Sequence, residues 1–183
     1  MGGASVPADG PTVALLDSGV GGLSVLRAVT AALPAARILY LADFAGLPYG
    51  ARSDDELALR LVGLQRRLRA EARSGAGLDA LVVACNTAST LALEALRAEA
   101  DFPVVGTVPP VKTAAALSAS GVIGLLATAA TVRRPYVDRL IAEHAAHCRV
   151  IRIGAAGLVP LAEQALRGRP PEPAAVAREL AAF

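Results

Sequence analysis

Short apolar runs alternate with helical patterns along almost the whole chain, and this alternation constrains the fold more than any single residue. Residues 12–16, 37–42, 78–84, 104–107, 122–127 and 149–153 are strand-length and rich in Val, Ile and Leu. Between and after them, residues 22–33, 53–74, 87–100, 111–118, 134–146 and 158–166 carry helical spacing. A strand that returns to its sheet through a helix pairs parallel, and the helices then cover the sheet faces. The expected fold class is therefore α/β, built as two Rossmann-like or flavodoxin-like parallel-sheet units in three α/β/α layers.

Phe102-Pro103 interrupts the alternation and suggests a boundary, with a first α/β domain over 12–102 and a second over 103–183. Residues 1–11 read as a flexible lead-in: they lack the basic start and apolar stretch of a secretory signal. After Pro170-Pro171-Glu172-Pro173 a last helical run, 174–183, should deliver the chain to another strand. The expectation is that the second unit is one strand short, that the first has three strands of its own, and that the C-terminal portion is missing. An unpaired parallel edge exposes apolar strand surface, so low stability or self-association, as in a homodimer, is expected of the chain alone.

Composition excludes several function classes. A formal charge of +2 argues against a dedicated nucleic-acid surface, and no run approaches the roughly 18 apolar residues of a membrane span. With 54% hydrophobic and 19% charged residues the chain is globular rather than disordered. Two cysteines, Cys85 and Cys148, without a secretory signal point to reduced thiols in the cytoplasm. His144 and His147 share no ligand spacing with them, so no metal site is expected. Lys112 is the lone lysine among arginines and reads as a surface residue, although a lone lysine can also be placed for a purpose. The arginines of residues 53–74 (Arg60, Arg66, Arg67, Arg69, Arg73) read as a solvated face, and Ser53-Asp54-Asp55-Glu56 as a capping box opening that helix.

Chemistry concentrates where strands end. Cys85 follows Leu81-Val82-Val83-Ala84 and precedes a helix, which puts a thiol at a helix N-terminus, where the field favours thiolate. Asp17-Ser18-Gly19-Val20-Gly21-Gly22 follows the first strand and opens a helix; it lacks the G-x-G-x-x-G spacing of a dinucleotide site. An acidic residue leads it, better placed for a cationic or proton-bearing group than for a pyrophosphate. The second strand ends in Asp43-Phe44-Ala45-Gly46-Leu47-Pro48-Tyr49-Gly50. Parallel strands would bring these loops to one sheet edge, where open α/β folds bind ligands.

Together, residues 17–25, Pro48-Tyr49-Gly50 and Ala84-Cys85-Asn86-Thr87-Ala88-Ser89 resemble the glutamate racemases, in that family's order and spacing. Further matches lie at 108–112, 127–131 and 158–163, so the resemblance runs from about residue 12 to 163. It implies cofactor-independent interconversion of L- and D-glutamate for peptidoglycan synthesis, with two cysteines working on opposite faces of the substrate. Inversion by proton transfer needs a base on one face and an acid on the other. Cys85 matches the first family cysteine and Asp17 the carboxylate that assists it. Ser18, Tyr49, Gly50, Asn86 and Thr87 match substrate-binding positions, and Thr128 and Thr131 the second unit's wall of the cleft. Glu163 aligns with an acidic residue on the second cysteine's side; the alternative is an ordinary helix-surface carboxylate.

Two departures stand out. The family's second cysteine lies in a Gly-Cys-Thr-His motif that this sequence lacks, and Cys148 sits where a helix hands over to a strand's N-terminal edge, which suits packing rather than catalysis. Phe44 stands where the family more often carries a small polar residue. Two other readings stay open: a non-catalytic racemase-like protein that binds a dicarboxylate or a protein partner, and a racemase for another acidic amino acid such as aspartate.

Overall fold

A computed structural model describes residues 10–72 and 77–181, so the expectations for residues 1–9, for the helix end at 73–75 and for the last two residues fall outside it. The chain divides into two compact units, Met1–Thr107 and Val108–Phe183.

The first unit is a four-stranded parallel sheet in the order β2-β1-β3-β4. Its strands are β1 (Thr12–Asp17), β2 (Arg37–Ala42), β3 (Ala80–Val83) and β4 (Val104–Gly106). All six residues of β1 are buried, as the uninterrupted Val-Ala-Leu-Leu run requires of a central parallel strand covered on both faces. Each fully buried leucine there contributes about 1.5–3 kcal/mol. Register is set by Leu16, which lies opposite both Leu41 of β2 and Val83 of β3. β4 pairs in parallel with β3, Leu81 opposite Val104, so the first unit has four strands rather than the three expected. The strand itself was legible; its sheet was not, because succession does not reveal on which side of a break a strand pairs.

Helices α1 (Leu23–Ala32), α2 (Asp54–Ala72) and α3 (Asn86–Glu99) connect these strands. From β1 the chain moves outward to β2, then crosses back to β3 and β4 on the other side. Right-handed crossovers therefore put α1 on one face and α2 and α3 on the other. Leu57, Leu61 and Leu68 of α2 and Leu96 of α3 form the core beneath them with Leu16, Leu81 and Val83. Gln65 joins this face with its side-chain NH2 donating to the Leu96 carbonyl at 3.1 Å, which offsets part of the cost of burial; its Oε1 is buried without a hydrogen bond among the described residues. The expected capping box is half made: the Glu56 amide donates to Ser53 Oγ at 3.4 Å, but the Glu56 carboxylate turns to Arg52 instead.

The second unit holds a parallel pair, β5 (Val122–Ala127) and β6 (Arg149–Gly154), with α4 (Val111–Leu117), α5 (Ala129–Val132), α6 (Pro135–His144), α7 (Leu158–Leu166) and α8 (Pro173–Glu179). α5 was not anticipated; a single turn carries too little periodicity to read. Val111, Ala115, Ile123 and Ala145 make one small core, and Leu125, Val132 and Val137 another. β5 is buried on alternate residues only, with Val122 and Leu126 exposed. Lys112 lies on the exposed side of α4.

Candidate functional site

The first sheet reverses direction between β1 and β3: the loop after β1 leads to α1 on one face, and the loop after β3 to α3 on the other. Such a switch point opens a crevice at the C-terminal strand ends. Asp17-Ser18 and Cys85 flank it. Main-chain bonds continue the sheet up to them, with Ala84 N donating to the Leu16 carbonyl and Asp43 N to the Asp17 carbonyl, each at 2.8 Å.

Asp17 is buried, and the glycine-rich turn wraps its carboxylate. Oδ2 accepts the Gly22 amide at 2.8 Å and the Gly19 amide at 3.3 Å. The Tyr40 hydroxyl lies 3.4 Å from the same oxygen and 3.2 Å from the Gly19 carbonyl, so its one proton is shared between them. Gly22 is obligatory here: a Cβ would stand 2.9 Å from Ala84 Cβ, Asp17 Cβ and the Tyr40 hydroxyl alike. Asp17 thus meets amide and phenol protons: of the two kinds of partner the sequence suggested, cationic or proton-bearing, these are the second.

Cys85 occupies the N-cap of α3 in extended conformation, and its carbonyl accepts the Ser89 amide at 2.9 Å. Its Sγ lies 3.8 Å from Ser18 Oγ. Burial pushes the thiol above its ordinary pKa. The Ala88 amide pulls the other way, Asp17's charge adds to the rise, and the Ser18 hydroxyl and Thr87 amide oppose it without offsetting it. The amides at the helix terminus do favour thiolate, as the sequence suggested, but burial outweighs them. Asn86 is exposed at the first turn of α3 and Thr87 is buried behind it. Ser89 braces the strand end, donating to the Val83 carbonyl and accepting the Thr107 amide, both at 3.0 Å.

The third loop is pinned by a cluster that the sequence did not show. Asp43 is 5% exposed and is gripped at two points by Arg60 of α2, Nε to Oδ2 at 2.6 Å and Nη2 to Oδ1 at 2.5 Å. The Tyr49 hydroxyl donates to Asp43 Oδ2 at 2.8 Å. Arg60 holds the Asp43 carboxyl below the usual range against the opposing effect of burial, with Tyr49 assisting. Burial, then Asp43, drives the Tyr49 phenol far above its ordinary value, and a thiolate at Cys85 is near enough to add to that. Gly50 sits half-buried in the 3-10 turn Tyr49–Ala51, after a cis Leu47-Pro48 peptide. Phe44 projects from the same loop, 46% exposed.

Arg60 therefore leaves the solvated arginine face assigned to α2. Among the other arginines of that helix, Arg66 and Arg69 pair with Glu99 and Asp101. Two signals could have hinted at the members, though not at their pairing: Asp43 follows its strand as Asp17 does, and Arg60 lies three residues past Leu57, beside the apolar stripe of α2.

In the second unit, Thr128 caps α5, accepting the Thr131 amide at 3.3 Å, and the two hydroxyls lie 2.9 Å apart. Both threonines follow the C-terminal end of β5. Glu163 lies on α7 with its side chain 12% exposed and Arg167 Nη2 at 3.8 Å. Cys148 packs on the Val111–Ala145 core ahead of β6. Among the described residues no cluster of His, Cys, Asp or Glu is arranged to hold a metal ion, and no helix is long and apolar enough to cross a membrane.

The chain is similar to known proteins in sequence and in fold. The chain is 51% identical over 177 residues to a glutamate racemase of Sphingopyxis alaskensis, covering 96% of this chain and 64% of that protein. It is 48% identical to the Granulibacter bethesdensis glutamate racemase, over 85% of this chain and 55% of the relative. Escherichia coli glutamate racemase, solved with L-glutamate and the activator UDP-MurNAc-ala, superposes with a TM-score of 0.87 at 44% identity, over 93% of this chain and 63% of that one. A Bacillus anthracis glutamate racemase isoform gives 0.74 at 29% identity, over 94% and 62%. The chain thus spans less than two thirds of the length of these relatives. The three-layer fold with parallel sheets is that of the solved racemases. Since the family model for Asp/Glu/Hydantoin racemase matches residues 21–182, through the helix behind Cys85 and on across the second unit, the chain belongs to that family.

Proposed function

We propose that this chain carries a glutamate racemase site in which Cys85 moves the proton at Cα, without a cofactor. The observation that carries this reading is the placement of Cys85 at the switch point, 3.8 Å from Ser18 Oγ and within the field of Asp17. A raised thiol is scarce as thiolate, but the thiolate that does form is a stronger base towards a carbon acid. The C–H bond breaks towards Sγ, and the electron pair it leaves delocalises into the substrate's α-carboxylate. Return of a proton to the same face regenerates the starting enantiomer; a proton delivered to the opposite face inverts it.

Ser18, Tyr49, Gly50, Asn86 and Thr87 are proposed to orient glutamate against Cys85. For Thr128, Thr131 and Glu163 of the second unit, the likeness to the glutamate racemases supports a part in that family's reaction. The glutamate racemases with which the chain shares 48–51% identity support glutamate over other acidic amino acids. The proposal extends to D-glutamate supply for peptidoglycan in the cytoplasm.

Cys148 is engaged in a core, so the chain supplies one working thiol, and exchange without inversion is expected. Incubation with L- or D-glutamate in deuterated water reads both outcomes separately. Deuterium should enter Cα with little change of optical rotation; Cys85→Ser should abolish the exchange and Cys148→Ser should not. Equal effects of the two substitutions would sink the assignment, and robust inversion would overturn the single-thiol claim.

A further inference from the structure

We propose that Asp43 and Arg60 are positioning residues that fix the Tyr49-Gly50 turn as one wall of the glutamate pocket. This rests on the functional reading above and adds to it two residues outside its substrate-contacting set.

The geometry carries it. Asp43 is the residue after β2, so its main chain is tied to the sheet edge through the bond from its amide to the Asp17 carbonyl. Its carboxylate accepts from Arg60 at both oxygens and from Tyr49 at one. A planar guanidinium that meets a carboxylate with two bonds fixes orientation as well as distance. Arg60 in turn belongs to α2, whose Leu57 and Leu61 are buried in the core. The turn is thereby referred to two rigid elements rather than left to its own backbone.

A buried tyrosine whose hydroxyl points at Asp43 does not spend that hydroxyl on a ligand. What it offers is the position of the turn it belongs to. Gly46 completes the device: a Cβ there would lie 2.3 Å from Asp43 Oδ2, 2.6 Å from Tyr49 Cε1 and 2.8 Å from Arg60 Nε. Arg52 closes the loop from its far end, Nε donating to the Gly46 carbonyl at 2.7 Å and Nη2 to the Ala45 carbonyl at 2.9 Å. The connection over residues 43–53 would otherwise wander; ordering it in advance removes a cost that binding would have to meet.

The test is calorimetric titration of the full 183-residue chain with L-glutamate, with hydrogen exchange of the β1 amides as the check on the fold. Arg60→Gln should weaken glutamate by about tenfold, a loss typical of one charge-assisted contact. Arg60→Lys should recover part of it, and Tyr49→Phe should weaken binding comparably. The double variant should be no weaker than the worse single one, because both act through Asp43. Arg66→Gln, at an exposed pair on the same helix, should change nothing. Unchanged affinity in Arg60→Gln with β1 protection intact overturns the positioning role, as does full additivity with Tyr49→Phe. If Arg60→Gln does not fold, Arg60→Lys and Tyr49→Phe decide alone: native affinity in both overturns it. No binding by the unsubstituted chain overturns the functional reading and this inference together, whereas the other failures leave that reading standing.

Discussion

β1 of the first unit and β5 of the second have similar sequences, Thr-Val-Ala-Leu-Leu-Asp and Val-Ile-Gly-Leu-Leu-Ala, and different surroundings. Every residue of β1 is buried; β5 alternates, leaving Val122 and Leu126 40% and 42% exposed. An apolar run signals a strand suited to cover on both faces. It does not say how much cover the residues around it supply. The first unit surrounds β1 with three further strands and three helices; β5 has β6 as its single paired strand among the described residues. What the comparison teaches is that strand pattern and burial are separate quantities, the second belonging to the sheet.

The largest expected effect tests that separation directly. Leu16→Ala in β1 removes a side chain with no exposed surface and should cost about 2–5 kcal/mol in urea unfolding. Leu126→Ala in β5 should cost under about 1 kcal/mol. Comparable losses would break the contrast.

A second, smaller effect concerns glycines. Gly22→Ala drives a methyl into Asp17, Ala84 and Tyr40 and should destabilise by about 1–3 kcal/mol. Gly63→Ala in α2, where a methyl meets nothing within 4 Å, should stabilise by about 0.5–1 kcal/mol. Opposite signs in chemical denaturation would sharpen the view that the first unit's tightness lies at its strand ends.

The smallest effect is acid sensitivity of that same edge. Asp43 has its folded pKa held below the unfolded value, so it stabilises the fold above about pH 4, and that contribution is lost as the pH falls through the folded pKa. The stability gap between the native chain and Asp43→Asn should be constant near neutrality and narrow below about pH 4. A gap that persists undiminished at lower pH would assign the effect to hydrogen-bond geometry rather than charge.

Much of the fold was legible because it rests on short-range pattern. The runs around Leu15 and Val82 announced parallel strands, and the glycines after Asp17 announced a close turn. Strand order was not legible, since nothing in Val104-Val105-Gly106 states which sheet it joins. Cys85 was legible as a position, but its proton affinity depends on the burial that neighbouring loops impose, which no local pattern encodes. Arg60 looked like one charge among several on a solvated helix. Its partner lies 17 residues earlier in a loop without periodicity, so only folding brings the pair together.

The sheet edge is continued by main-chain bonds, from Ala84 to Leu16 and from Asp43 to Asp17, that owe nothing to the side chains at these positions. The alignment of the thiol with its neighbouring carboxylate is therefore inherited from the backbone. Exchanging Cys85 for serine should silence the chemistry and leave the architecture around it in place. On the proposed reading such a disarmed chain is a trap, to be soaked with glutamate and photographed with the ligand unreacted.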